Sequence, residues 1–452
     1  MKIEELVASP NIAKDLTDEK VQEIGRLCKD GYDADKQSRA PWEEWSAKSL
    51  KLALQVVEHK TFPWPNCFSL DTEILTSTGW VPVANVIEGE LVYSRAAGGD
   101  AGFYPVKSTV RHHSDEMVHF IGKSIDLLVT KNHRMVVESK TGKQSFVEAG
   151  DFVKGPTTNR YIPLTSKKAG NPIATKHGIP TEAYLRFLGW YVAEGSANYG
   201  ENTYFHKKFG GFVSYGKTTS SFSIAQSKTA NPEKCEIIKR DLEACGFTYK
   251  QNAESFTVHA RSMPRSLKDE LRAIGKCENK FLPRHIFDCS PSQLLELLDT
   301  LVLGDGTTTK KGHQSYFTTS KRLADDVQEL CQYIGLRGTI TAKEPTGKTA
   351  YSASGKAFTS KLVAYAVSIN RKPLIQVAKL QRSIVPYNGD VACVNVEPHH
   401  TLYVRRNGKA VWVGNCSNVK FPLLTIAALA WHSKAYPALI QGDDVVKYKV
   451  IG

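Results

Sequence analysis

The chain has 452 residues, 41% of them hydrophobic, and a formal net charge of +13. Single cores rarely grow beyond roughly 250–300 residues, so several packed domains and more than one function are expected. Nine cysteines with no Cys-x-x-Cys pair argue against a disulfide framework and against the common cysteine-based zinc sites. The expectation is a reduced, cytoplasmic protein of a bacterial or phage-infected cell. Met1 to Pro10 carries Glu4 and Glu5 and no signal-peptide core, and the apolar run Phe421 to Trp431 is too short to span a bilayer. Neither export nor a membrane partner is expected. The charge is confined: residues 166–385 hold 32 Lys/Arg against 19 Asp/Glu, which is the whole excess. Such a block suggests a polyanion partner, although a merely Lys-rich surface would carry the same charge.

In chain order, residues 1–66 read as helical, with Leu16 to Lys29 and Trp42 to Glu58 showing apolar and charged faces before Phe62-Pro-Trp-Pro-Asn66 breaks the pattern. From Phe68 to about Leu164 the texture turns to short β-rich runs such as Trp80-Val-Pro-Val83, Glu116-Met-Val-His-Phe-Ile121 and Asp126-Leu-Leu-Val-Thr130. The same texture returns at Asp390-Val-Ala-Cys-Val-Asn-Val396 and Thr401-Leu-Tyr-Val404, so one all-β domain is split by the block between. That block holds an internal repeat. Tyr184-Leu-Arg-Phe-Leu-Gly-Trp-Tyr-Val-Ala-Glu-Gly195 and Leu294-Leu-Glu-Leu-Leu-Asp-Thr-Leu-Val-Leu-Gly-Asp-Gly306 are both apolar helices ending in an acid and a glycine. Each is followed by a strand reaching Ser-Lys (Ser227-Lys228; Ser320-Lys321) and a helix closing on glycine (Cys235 to Gly246; Leu323 to Gly335). Two copies of one unit predict a pseudo-symmetric α/β domain.

Four motifs of the β segments resemble the Hint domain of inteins, in the order of that family. Cys67-Phe-Ser-Leu-Asp-Thr-Glu-Ile-Leu-Thr76 is similar to the opening motif, and Leu128-Val-Thr130-Lys-Asn-His133 to its Thr-x-x-His motif. Val391-Ala-Cys393 through His400-Thr-Leu402, and Val411-Trp-Val-Gly-Asn415-Cys416, resemble the two closing motifs. The residue types suit the chemistry. A thiol is a good nucleophile for attacking its own preceding carbonyl and turning the Asn66–Cys67 amide into a thioester. The resemblance implies that His133 polarises or protonates the scissile peptide, Thr130 holds it, Cys416 receives the acyl group and Asn415 cyclises to release the insert. Gly414 stands where the family commonly has a histidine, so assistance to cyclisation passes to His400. Cys393 stands where many members carry Asp, and is either an auxiliary acid/base thiol or a buried structural cysteine.

The repeated helices resemble the LAGLIDADG motif of homing endonucleases. Gly189, Ala193 and Gly304 are small enough to let two such helices approach closely. Ser290, Pro291 and Gln293 give the second helix an N-cap, an N1 proline and a capping box. Parallel packing would bring Glu194 and Asp305 together as metal ligands, with Mg²⁺ the natural cation for phosphoryl transfer. Glu194 replaces the Asp of the motif's name. Lys280, in Asn279-Lys-Phe-Leu-Pro283, resembles a further family motif and serves the transition state, contacts phosphate or is a plain surface lysine.

The organisation expected is therefore multidomain. It comprises a helical host segment 1–66, a Hint domain in two parts (67–165 and 386–415) split by an α/β LAGLIDADG endonuclease (166–385), and a host segment 416–452. Joining Asn66 to Cys416 would create a stretch that resembles tailed-phage portal proteins, which would make the spliced host oligomeric. The partner implied is double-stranded DNA, namely the host allele lacking the insert. Rival readings are a middle block that binds DNA without cutting it, and a Hint-type domain that cleaves without ligating. Cys416 directly after Asn415 speaks against the latter, because cleavage alone needs no second nucleophile.

Overall fold

The computed structural model describes residues 66–206, 208–345, 349–351, 357–359 and 361–415. The helices expected in the first flank, Cys416 and the rest of the second flank lie outside the described residues.

The β-rich texture on either side of the basic block forms one body. The strand Asp100–Ile121 runs antiparallel to Gln381–Val396, from Gln381 opposite Ile121 to Val396 opposite Val106. This pairing extends upstream across residue 385, so the long strand spans both the middle block and the closing segment. Phe68–Ser69 is inserted between Val391–Ala392 on one side and Val129 on the other. The hairpin of Thr401–Arg406 and Lys409–Gly414 pairs with the strand Glu73–Thr76. Segments more than 300 residues apart are thus laced by backbone hydrogen bonds. The strand stretch Val391–Val396 is buried at every position, Asn395 included, which marks a strand covered on both faces. Phe68, Phe120, Phe152, Val394 and Val411 fill the core beneath, each such side chain contributing roughly 1.5–3 kcal/mol by leaving water.

Six α-helices are seen among the described residues: α1 (Asp151–Lys154), α2 (Thr181–Glu194), α3 (Pro232–Ala244), α4 (Arg265–Ile274), α5 (Pro291–Asp305) and α6 (Lys321–Tyr333). Helix α2 leads into the antiparallel pair Gly195–His206 and Gly211–Ala225 and then α3; α5 leads into the pair Gly306–Thr308 and Gln314–Thr318 and then α6. Helix α5 starts as its sequence demands. The Ser290 side chain accepts from the Gln293 N–H, the Gln293 side chain accepts from the Ser290 N–H, and Pro291 sits where no amide donor is needed.

The two bodies are packed together, not strung on linkers. Tyr93 of the β body meets Tyr333 of α6 edge-on, at 5.2 Å between ring centroids, and also packs against Trp412, which in turn packs against Tyr403. Arg405, 1% exposed, pairs with Glu73 of the β body and Asp325 of α6 while lying 4.4 Å from the Trp80 ring. Backbone pairing joins them as well: Thr339 pairs with Lys409, and Lys167–Lys168 runs parallel to Asp100–Ala101. No helix among the described residues is long and apolar enough to cross a membrane.

Candidate functional site

The first cluster lies where the two ends of the split β body meet. After the strand Asp126–Val129 the chain turns, the His133 amide donating to the Thr130 carbonyl at 3.0 Å. This turn grips residue 67 from both sides: the Cys67 amide donates to Thr130 Oγ1 at 3.1 Å, and the Thr130 amide donates to the Cys67 carbonyl at 3.0 Å. The peptide before Cys67 is therefore fixed, and Cys67 itself is fully buried. His133 is also fully buried, edge-on to Phe68 at 4.6 Å between centroids. Burial pushes its pKa down to about 3, aided by the Arg134 charge and opposed by the nearby backbone of Asn66. At neutral pH it is an uncharged imidazole facing the peptide that precedes Cys67.

From the other end, Asn415 is fully buried. Its amide donates to the His400 carbonyl at 3.0 Å, and its side-chain nitrogen donates to the Val396 carbonyl at 2.8 Å and to Asn395 Oδ1 at 3.3 Å. The Asn66 side-chain nitrogen reaches the Asn415 carbonyl at 3.5 Å, across 349 residues of sequence. Both candidate junctions thus share one pocket. His400, at φ +54°, stands beside Asn415. Burial lowers its pKa, with Arg134 adding to the fall and the Asn415 side chain opposing it. Gly414 has a steric explanation: a Cβ there would run into the Arg134 carbonyl, one residue after His133. A histidine at 414 does not fit this packing. Cys393 is buried, and extending the Phe68–Ala392 and Ser69–Val391 register by one step places it opposite Cys67.

The second cluster lies at the C-terminal ends of α2 and α5. A Cβ added to Gly189 would stand 2.7 Å from Thr300 Cβ, and one added to Gly304 would stand 2.5 Å from Ala193 Cβ. Only small residues permit such an approach. The close contact carries Glu194 and Asp305, the last residues of the two helices, into one site. Burial, reinforced by the Glu194 charge and opposed by Lys280 and Lys234, raises the pKa of Asp305 to about 7. Burial raises Glu194 as well. Lys280 is buried, its ammonium donating to the carbonyls of Val192 at 2.8 Å and Ala193 at 3.1 Å, so it caps α2 while facing both acids. Below them the Tyr316 hydroxyl is fully buried and unpaired among the described residues, its pKa raised by burial and then by Asp305 and Glu194. Two adjoining carboxylates, one half-protonated at neutral pH, form an oxygen donor set that a hard divalent cation would relieve.

Sequence reasoning had not found Asn395, Lys234 or Tyr316. Asn395 carried a usable signal, a lone amide in a run of buried valines. The two others carried none.

The chain is similar to known proteins and to a known family. A "DNA-directed RNA polymerase subunit beta C-terminal section" from Stigeoclonium helveticum is 26% identical over 82% of this chain and 38% of its own length. An "ATP-dependent Clp protease proteolytic subunit" from Chlamydomonas moewusii is 26% identical over 76% of this chain and 35% of its own. The chain thus spans little more than a third of the length of these curated relatives. A solved structure, "AceL NrdHF class 3 split intein GSH linked splice inactive variant", is 24% identical over 22% of this chain and 65% of its own, with a TM-score of 0.21. Residues 292–379, from α5 through the second pair of strands and α6, match the family model of the LAGLIDADG-like domain.

Proposed function

We propose that residues 67–415 are a self-splicing insert whose middle block is a site-specific DNA endonuclease. The splicing reading is carried by the Asn66 amide lying 3.5 Å from the Asn415 carbonyl, in the pocket that also holds Cys67, Thr130 and His133. Cys67 Sγ attacks the Asn66 carbonyl carbon; the C–N bond to Cys67 breaks, and the nitrogen receives the thiol proton by way of His133. With a pKa of about 3, the imidazolium of His133 is a strong acid once formed, which suits delivery of a proton to a poorly basic amide nitrogen. Cys416 then displaces Cys67 from the thioester. Asn415 Nδ2, held by Val396 and Asn395, attacks the Asn415 carbonyl, forming a succinimide and freeing the Cys416 amine. That amine takes the acyl group from the Cys416 sulfur and leaves an ordinary peptide bond between Asn66 and Cys416.

The nuclease reading is carried by Glu194 and Asp305 at adjoining helix ends within the block that holds the excess basic charge. A bound Mg²⁺ would supply an activated water and charge stabilisation for phosphodiester hydrolysis. Glu194 and Asp305 would hold it, Lys280 would lower the local negative potential, and the surrounding Lys/Arg would contact phosphates. The flanks would become the joined host; none of the three names above supports a phage portal in that role.

Hydroxylamine separates the acyl-transfer steps. With Asn415→Ala it should release residues 1–66 as the hydroxamate, whereas Cys67→Ala should release nothing; equal release from both overturns the assignment of Cys67. Incubation of the chain with Mg²⁺ and the two host alleles tests the nuclease. Binding without cutting would leave a DNA-binding middle block instead.

A further inference from the structure

A group of side chains remains at the opposite end of α2 from Glu194. His177 occupies the tip of the hairpin between Thr175–Lys176 and Ile179–Pro180, where His177 at φ +53° and Gly178 at φ +75° make a two-residue turn of the kind that fits a tight hairpin. Glu270 lies on α4. His285 lies in the short 3₁₀ segment Arg284–Asp288. These three come from separate stretches of chain, yet one donor atom from each lies within 4.8 Å of the others. His177 Nε2 is 3.4 Å from Glu270 Oε2, and His285 Nε2 contacts the same oxygen.

The outer contacts have the arrangement that metal ligands need. His177 Nδ1 is paired with Ser266 Oγ at 2.8 Å, which leaves Nε2 to face the cluster. Ser266 and Glu270 are one turn apart on α4, so a single helix face supplies a ligand and the partner that orients another. The second carboxylate oxygen, Glu270 Oε1, accepts from the Tyr184 hydroxyl at 2.5 Å, leaving Oε2 as the inward atom. The backbone of His285 is tied by Lys176 Nζ donating to its carbonyl at 3.0 Å. His177 and Glu270 are nearly buried, at 14% and 11% side-chain exposure, while His285 at 37% borders solvent and is free to shift outward.

We propose that His177, Glu270 and His285 form a binding site for a divalent transition-metal ion of the zinc class, separate from the paired acids. Two imidazoles and one carboxylate suit such an ion far better than Mg²⁺, which prefers oxygen ligands. Bonds of about 2.0–2.2 Å in a tetrahedral site place neighbouring donors about 3.4 Å apart, the spacing His177 and Glu270 already show. His285 would withdraw slightly to admit the ion, and the fourth position would face solvent. Tyr184 and Glu194 lie ten residues apart on α2, about 15 Å along its axis, so the ion would not serve the acid pair. It would fasten the hairpin before α2, helix α4 and the segment before α5 into one unit.

Cobalt(II) provides a direct probe in the full-length, chelator-treated chain. One equivalent should bring up the visible absorption of a four-coordinate nitrogen–oxygen site, which Zn²⁺ then displaces. His177→Ala and His285→Ala should weaken binding at least about 100-fold, and Ser266→Ala, which removes an outer contact and no ligand, by about 10–100-fold. Glu194→Gln with Asp305→Asn should leave the spectrum unchanged. Absence of the visible band in the unaltered chain overturns the proposal whatever the variants do. So does a near-ultraviolet thiolate charge-transfer band, or a spectrum indifferent to both histidines.

Discussion

Replacing Gly304 with alanine tests whether the approach of α2 and α5 sets the nuclease site. The new Cβ would stand 2.5 Å from Ala193 Cβ, where carbon atoms pack comfortably at about 3.5–4.0 Å, so the helix ends must part by about 1 Å. Overpacking costs about 1–3 kcal/mol, and the better helix propensity of alanine returns up to about 1 kcal/mol. The net loss of stability is therefore roughly 0–2 kcal/mol, a shift that leaves the chain folded. The effect on chemistry is larger. Glu194 and Asp305 ride on the parted ends, and a misplacement of about 1 Å costs up to about 100-fold in rate. Adding Ala193→Gly removes the atom that is struck and should restore both quantities. A double-mutant cycle read by urea unfolding and by DNA cleavage measures this, with a coupling of about 1–2 kcal/mol expected. Full cleavage by Gly304→Ala, or failure of Ala193→Gly to rescue it, would refute the claim that this contact positions the acids.

Three further outcomes follow from the same geometry. The folded His133 stays neutral down to a pKa of about 3 while its unfolded counterpart protonates near 6.5, so stability is lost as pH falls through that window. The loss should reach about 2 kcal/mol at pH 5, measured as the difference in unfolding free energy between wild type and His133→Gln. Asp305, with a pKa of about 7, must ionise to hold a cation, so Mg²⁺ affinity should rise roughly tenfold from pH 6 to pH 8, and titration calorimetry at the two values checks it. Asn395→Ala removes an acceptor from Asn415 Nδ2 and should slow cyclisation about tenfold or more while the hydroxylamine-sensitive thioester still forms; Asn395→Asp should rescue it.

Much of the organisation was legible because it is written locally. The alternating β texture identified the two halves that pair as Asp100–Ile121 with Gln381–Val396. The cap of α5 and the need for small residues at Gly189, Ala193 and Gly304 were readable from propensity and size. Cys67, Thr130, His133 and Asn415 were named by the resemblance of their motifs to the Hint domain, and the structure brings them to one place. What sequence could not show depends on contacts between distant segments. Gly414 read as a missing histidine, and only the Arg134 carbonyl explains it. Lys280 read as a catalytic, phosphate-contacting or surface lysine, and its ammonium is found capping α2 beside the acids. Expected boundaries between domains gave no hint that Arg405 and Trp412 would bury themselves against α6, because shared cores leave no local periodicity.

The central claim is that the two peptide bonds at Asn66–Cys67 and Asn415–Cys416 are broken and the flanks joined. Intact-mass spectrometry of the full-length chain, followed over time at neutral pH, reads this directly. The account predicts decay of the starting mass into two products, residues 67–415 as a succinimide-ended fragment and residues 1–66 joined to 416–452, with Cys67→Ala remaining at its starting mass. A chain that keeps one mass, or that separates at either junction without the joined product, would contradict it.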